Sequence, residues 1–348
     1  TRYWRDWSSD VCSSDLSFRI RKTLFATAFF VGLLSVPVLN VVIDPFEVFG
    51  TKVLPFTVAN ANMRQLKVQR MQGMQYDLLV AGSSVTQMID PRWIVGADKD
   101  GFNMAAFSVD AAVLDQSVKY AAGHLREGGK LLIGVDPAMF IGGGPRDGAY
   151  RMPYAVTGEN PIIWYIEYAF AASAKEIMYK LANVLTGDNI HLDLDYGHYR
   201  VVRWDQEMER NPEGYAARKF SQKEIEKTGK YRASSESFTH LESLARWLES
   251  RKIETTWVFM PVHPAMRKHI GDNELSSLYD RTRAAIAGTM PSASVLDFID
   301  HEIVRDNQYW YEHKHFSPTG GKRLALELRE SLYNEQTATS KKEEAERG

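Results

Sequence analysis

Cysteine is almost missing from this sequence. Its single thiol, Cys12, excludes an intrachain disulfide, and such thiol poverty is compatible with an oxidising compartment. An excess of one charge is also missing. With 42 Lys and Arg against 44 Asp and Glu, the net charge of −2 gives no electrostatic footprint for nucleic acid. No internal repeat is found. Gly142–Gly144 lacks the Lys-Ser/Thr of a Walker motif and is no phosphate loop. His313 and His315 have no second cluster at ligand spacing, so no metal and no other cofactor is expected. Thr1–Leu16 shows no clear hydrophobic periodicity and resembles translated adapter sequence. It is expected to be a non-native scar, Cys12 included.

What the chain does have begins with a long apolar run. Arg19, Arg21 and Lys22 precede Thr23–Ile43, which contains no charged residue. About 20 apolar residues span a bilayer as a helix. The basic flank before the run, and Asp44 and Glu47 after it, predict an uncleaved single-pass anchor over 17–43. The N-terminus then stays in the cytoplasm and the remainder is exported. Pro37 and Asn40 weaken the end of the span, and no convincing small-x-small site marks a cleaved signal peptide.

Residues 44–75 read as a connector, broken at Asp44-Pro45 and Pro55, with a short surface helix within Asn60–Met74. In Tyr76–Val85 (YDLLVAGSSV) the run Leu78-Leu79-Val80-Ala81 has the length and composition of a buried strand. It stops at Gly82-Ser83-Ser84. Ligands of open α/β sheets bind beyond the C-terminal ends of the strands, where helix N-termini offer N–H groups to anions. Alternatively, the two serines only cap the next helix. Further strands are expected at Gly101–Ala106, Lys130–Val135, Glu254–Met260 and Ala293–Phe298. Helices are expected at Ala111–Leu125, Ser234–Ser250, Glu274–Ala287 and Pro318–Tyr333. This alternation predicts a three-layer α/β/α domain over 76–333 with a mostly parallel five-stranded sheet. An insertion at about 141–231 interrupts it. Its helix Pro161–Leu185 either packs on the sheet or walls the site, and Asp188–Tyr231 is a long polar excursion. Residues 334–348 read as a frayed, disordered tail.

In Tyr309–Gly321 (YWYEHKHFSPTGG), two residues separate Glu312 from His315, and a Ser-Pro-x-Gly-Gly turn follows. A serine after the first strand and an acid-x-x-His before the last helix is the order of the SGNH, or GDSL-type, hydrolase superfamily. The chain resembles that superfamily over roughly Tyr76–Tyr333. It looks most like membrane-anchored bacterial members tied to cell-envelope polysaccharide acylation, a group that includes proteins of alginate O-acetylation and teichoic acid D-alanylation. The resemblance implies Ser84 as nucleophile, His315 as general base and Glu312 as the orienting acid, with Gly82 and Ser83 framing the turn. The chemistry requires such a set. A serine hydroxyl needs a base in hydrogen-bond reach, and the histidine needs a carboxylate to fix its tautomer.

Two departures stand out. The family usually carries Asp where this chain has Glu312, and Asp306 is the fallback acid. The family's Gly-x-Asn-Asp block here reads Gly134-Val135-Asp136-Pro137. An ionised Asp136 repels a developing oxyanion, and loss of one donor there typically costs ~10²–10³ in rate. The remaining donors would be the Ser84 N–H, Asn103 and the Ala105 region. His263, in Pro-Val-His-Pro, ends the fourth strand on the same edge and is read as substrate-binding or merely structural. His313 is the rival base. The resemblance thus implies an extracytoplasmic serine esterase or O-acyltransferase at the inner membrane, with an acylated glycan as substrate and a membrane-bound acyl-transfer partner. A catalytically silent polysaccharide-binding or scaffold protein of an envelope assembly complex remains the alternative.

Overall fold

Short runs of Leu, Val, Ile and aromatic residues become strands. The computed structural model describes residues 7–51, 53–54, 63–96, 98–140, 152–171, 174–186, 190–226 and 233–347. Its strands are β1 (Tyr76–Ala81), β2 (Gly101–Asn103), β3 (Leu125–Val135), β4 (Ile190–Leu192), β5 (Tyr199–Val201), β6 (Thr255–Phe259) and β7 (Ser294–Asp297). Five of them form one sheet in the order β2-β1-β3-β6-β7, and every neighbouring pair in it is parallel. In register, Leu79 faces Phe102 and Leu131, and Ile133 faces Trp257. The apolar runs of the central strands, Leu78–Ala81, Leu131–Val135 and Thr255–Phe259, are buried. Because the strands are parallel, the residues after Ala81, Asn103, Val135 and Phe259 all emerge at one edge.

The helices, in chain order, begin with α1 (Trp7–Ile43), α2 (Met63–Met71) and α3 (Ala111–Ala122). Within α1, Phe18–Ile43 is apolar enough and long enough to cross a membrane. The helix also covers 7–16, where no periodicity was expected. Asp110 caps α3 by accepting from the Val113 N–H at 3.0 Å. In the insertion come α4 (Pro161–Ala171), α5 (Ala174–Thr186), α6 (Val202–Arg210) and α7 (Pro212–Lys219). The expected helix Pro161–Leu185 is helical over its two described stretches, and the expected polar excursion holds, among the described residues, the β4–β5 hairpin and three helices, the third being Gln222–Glu226. Gly142–Gly144 lies outside the described residues. The chain ends with α8 (Ser235–Arg251), α9 (Asp272–Thr289) and α10 (Pro318–Arg347). Helices cover both sides of the sheet, with α3, α8 and α9 packed in a row and α10 packed on the short helix Arg92–Val95.

Two expectations need correction. First, α2 is not a surface helix. Met63, Leu66, Val68 and Met71 enter the main core. Two of its three charged residues reach carbonyls instead of water. Arg64 donates to Phe107 O and Ser108 O, both at 2.9 Å, and Lys67 donates to Ala105 O. Secondly, α4 packs neither on the sheet nor over the serine. It packs on the C-terminal end of α1, and Trp164 and Tyr168 join Phe46 and Val48 in a separate small core. The backbone is helical over 334–347. The Ala, Glu, Lys, Gln and Arg in that segment have high helix propensity.

Candidate active site

The turn after β1 is made possible by glycine. A Cβ on Gly82 would lie 2.3 Å from the Thr86 Oγ1, and one on Gly134 of β3 would lie 2.2 Å from the same atom. Thr86 therefore seats itself against two strands that carry no side chain at those points. Ser83 turns inward and donates to the Asp136 carboxylate at the end of β3. Ser84, half-buried, turns the other way, toward the loop before α10. The two serines thus differ in environment, and neither caps a long helix.

That loop is a closed tip. Trp310 and Phe316 form an antiparallel bridge, and the Tyr311 N–H donates to His315 O at 2.8 Å. The closure swings Glu312 and His315 to the same side. His315 Nδ1 lies 2.5 Å from Glu312 Oε1, and His315 Nε2 lies 2.8 Å from Ser84 Oγ. An ionised carboxylate only accepts, so Nδ1 carries the proton and Nε2 is left to accept from the Ser84 hydroxyl. Burial pushes the Glu312 carboxyl up, but the His315 charge and hydrogen bond, with His313 and Lys314, outweigh it. The result lies below the usual carboxylate range. The Phe107 ring stands edge-on to His315, with centroids 6.0 Å apart, and itself meets Tyr199 of β5.

The other residues singled out in the sequence fall into two groups. Asp136 stays at the site. Its carboxylate accepts from Ser83 Oγ and from the Ala138 N–H at 2.9 Å, and burial lifts its pKa to about 6. Asn103 and Ala105 lie at the end of β2 and are not free donors. Asn103 Nδ2 donates to Thr86 O and Ile89 O, and Asn103 Oδ1 takes the Ala105 N–H at 2.9 Å. The Ser84 N–H makes no hydrogen bond among the described residues. Both ring nitrogens of His263 are also engaged. Nδ1 accepts from the Ala265 N–H, capping the helix Pro264–Ile270, and Nε2 donates to Asn307 Oδ1 at 3.0 Å. His263 therefore meets the site only through its ring face. His313 is buried and makes no bond to Ser84, its Nε2 lying 4.0 Å from Glu312 Oε2. Asp306 caps the turn Asn307–Tyr309 through the Gln308 N–H, away from His315.

Between these groups lies a cavity of about 110 Å³. Ser84, Val85, Pro137, Val262, Met266 and Trp310 line it, with His263, His313 and Asp136 at its edges. A larger hollow of about 470 Å³ lies near Arg267, Arg283 and Asp297. Its charges pair with one another, Arg267 with Asp300 and Arg283 with Asp297, and it does not touch Ser84. Among the described residues no group of three or more His, Cys, Asp or Glu is arranged to hold a metal ion.

Sequence reasoning missed the parts that hold the site in place. Tyr215 of α7 donates to Tyr311 O at 2.7 Å, and the Tyr311 hydroxyl donates to Asp205 of α6 at 2.5 Å. The insertion thus grips the loop that carries Glu312 and His315. On the other side, Arg64 and Lys67 of α2 grip the 105–108 backbone. The visible signal for α2 was apolar spacing at Met63, Leu66 and Met71. No comparable signal tied Asp205 to Tyr311.

No family model and no curated protein matches the chain. Among solved structures, a chain provisionally described as a platelet activating factor from Streptococcus pneumonia aligns over 88% of this chain and 99% of its own. The identity is 10% and the TM-score 0.42. A likeness at that level assigns no function.

Proposed function

We propose that the protein is an extracytoplasmic serine esterase or O-acyltransferase of the SGNH type that acts on an acylated cell-envelope glycan. The observation that carries this reading is the continuous line of hydrogen bonds from Glu312 through His315 to Ser84. In the proposed reaction Ser84 Oγ attacks the acyl carbonyl and its proton passes to His315 Nε2. Glu312 holds the Nδ1 proton and stabilises the imidazolium. The tetrahedral intermediate collapses, and the sugar oxygen leaves with the proton from Nε2. Water or a second sugar hydroxyl then releases the acyl group from Ser84 by the reverse proton path. The Ser84 N–H is the available oxyanion donor. The acyl chain fits the cavity beside Ser84. At about 110 Å³ it is smaller than the ~150 Å³ cavity that holds a benzene, which favours a short chain. The glycan, the envelope and a membrane-bound acyl-transfer partner are supported by the motif resemblance alone.

A fluorophosphonate probe tests this reading. The parent protein should be labelled and Ser84→Ala should not. A second reading, a silent polysaccharide-binding or scaffold protein, is favoured by Asp136, whose carboxylate stands where an amide donor is expected. Absence of labelling in the folded parent would select it.

A further inference from the structure

Helices α4 and α5 satisfy their inward faces and leave their outward faces apolar. Inward, Trp164 and Tyr168 pack with Phe46 and Val48, and Trp164 Nε1 donates to Met152 O at 3.1 Å. Lys180 of α5 is buried and donates to Asp44 O and to Glu47 Oε1, at 2.7 and 2.8 Å. Outward stand Ile162, Ile163, Ile166 and Phe170 of α4, and Met178 and Leu185 of α5. Ile162 is 68% exposed and Leu185 is 85% exposed. Side chains of this size, exposed together on adjacent elements, mark a surface that something covers.

The level of these helices along α1 identifies the cover. Phe18–Ile43 comprises 26 residues. At 1.5 Å per residue that is about 39 Å, longer than the ~30 Å hydrocarbon core and close to the full bilayer with its headgroups. The last turns of the span then lie at headgroup depth. Asn40 sits there, and its Nδ2 donates to Ala169 O of α4 at 2.6 Å. The outward face of α4 is therefore continuous with the lipid-facing surface of α1 and lies at the boundary between headgroups and acyl chains.

We infer that α4 and α5 form a membrane-surface element that inserts its apolar faces into the leaflet at the C-terminal end of α1. The domain is then seated on the bilayer at two places instead of swinging from the span alone. The inference rests on reading α1 as a membrane span and is independent of the esterase reading.

The test uses the full chain carrying Cys12→Ser, reconstituted into phosphatidylcholine vesicles. Single cysteines replace Ile166, Phe170, Phe30 in the span, and Arg246 on the exposed side of α8, each labelled with an environment-sensitive fluorophore. Doxyl-labelled lipid is the quencher. The expected result is blue-shifted emission and strong quenching at positions 30, 166 and 170, with neither at 246. Ile162→Cys supplies a further site on the same face if Ile166→Cys melts abnormally. Quenching at 30 with water-exposed labels at 166 and 170 overturns the inference while leaving the span intact, and points to a protein cover. No quenching at 30 overturns the span itself, and the inference with it.

Discussion

A carboxylate and an imidazole three positions apart need a helical turn or a tight loop to meet, and the Trp310–Phe316 closure provides a loop. Glu312→Gln should leave the melting curve intact and lower esterase turnover steeply, because an amide cannot stabilise the imidazolium. In a serine protease the corresponding change costs ~10⁴ in turnover, and a smaller loss is expected from this loop. Asp306→Asn should have little effect by comparison. If their effects on turnover are reversed, Glu312 is not the acid. Asp136 supplies a pH-dependent expectation. Its folded-state pKa of about 6 lies above the ordinary 3.8, so the folded protein holds this proton more tightly than the unfolded chain. The resulting stability is fully present below pH 3.8 and is lost as pH rises through about 6, by ~3 kcal/mol in all. Asp136→Asn should therefore melt above the parent at about pH 7.5, with the gap closing toward about pH 4. A constant gap across that range would show that Ser83 and Ala138 already offset the burial of the charge.

Among the elements, the insertion is the one whose removal should be felt at the site. Tyr215→Phe leaves the buried Tyr311 carbonyl without that donor and should cost about 1–3 kcal/mol. Turnover should fall with it, since Tyr311 directly precedes Glu312. An unchanged melting temperature in thermal denaturation would refute the grip of α7 on the loop. The same element shows where sequence reading stops. Strands β1, β3 and β6 were legible because parallel, doubly covered strands are written as unbroken apolar runs. Glu312 and His315 were singled out because their spacing is local, and Ser84 because it follows such a run. The contacts Tyr215–Tyr311 and Asp205–Tyr311 join segments about a hundred residues apart through polar groups, which leave no periodic trace. The burial of α2 was hidden for a similar reason. Arg64 and Lys67 read as solvent-facing until the carbonyls of Ala105, Phe107 and Ser108 are seen to receive them. Asn103 was singled out, but its engagement with Thr86 and Ile89 depends on a three-dimensional turn.

For the whole molecule, α1 sets the frame. If Arg19, Arg21 and Lys22 stay in the cytoplasm, a reporter active only there and fused after Tyr333 should be dead. A live fusion would refute export of the domain. The line of hydrogen bonds adds a matter of timing. Ser84 and His315 are 231 residues apart, near opposite ends of the domain. A chain made from its N-terminus presents the serine early, and the imidazole arrives only when nearly all of the domain has followed. Half-made or truncated chains therefore hold an ordinary alcohol, not an activated one. On the proposed esterase reading, the enzyme is inert while it is being made and exported, with no inhibitor needed to keep it so.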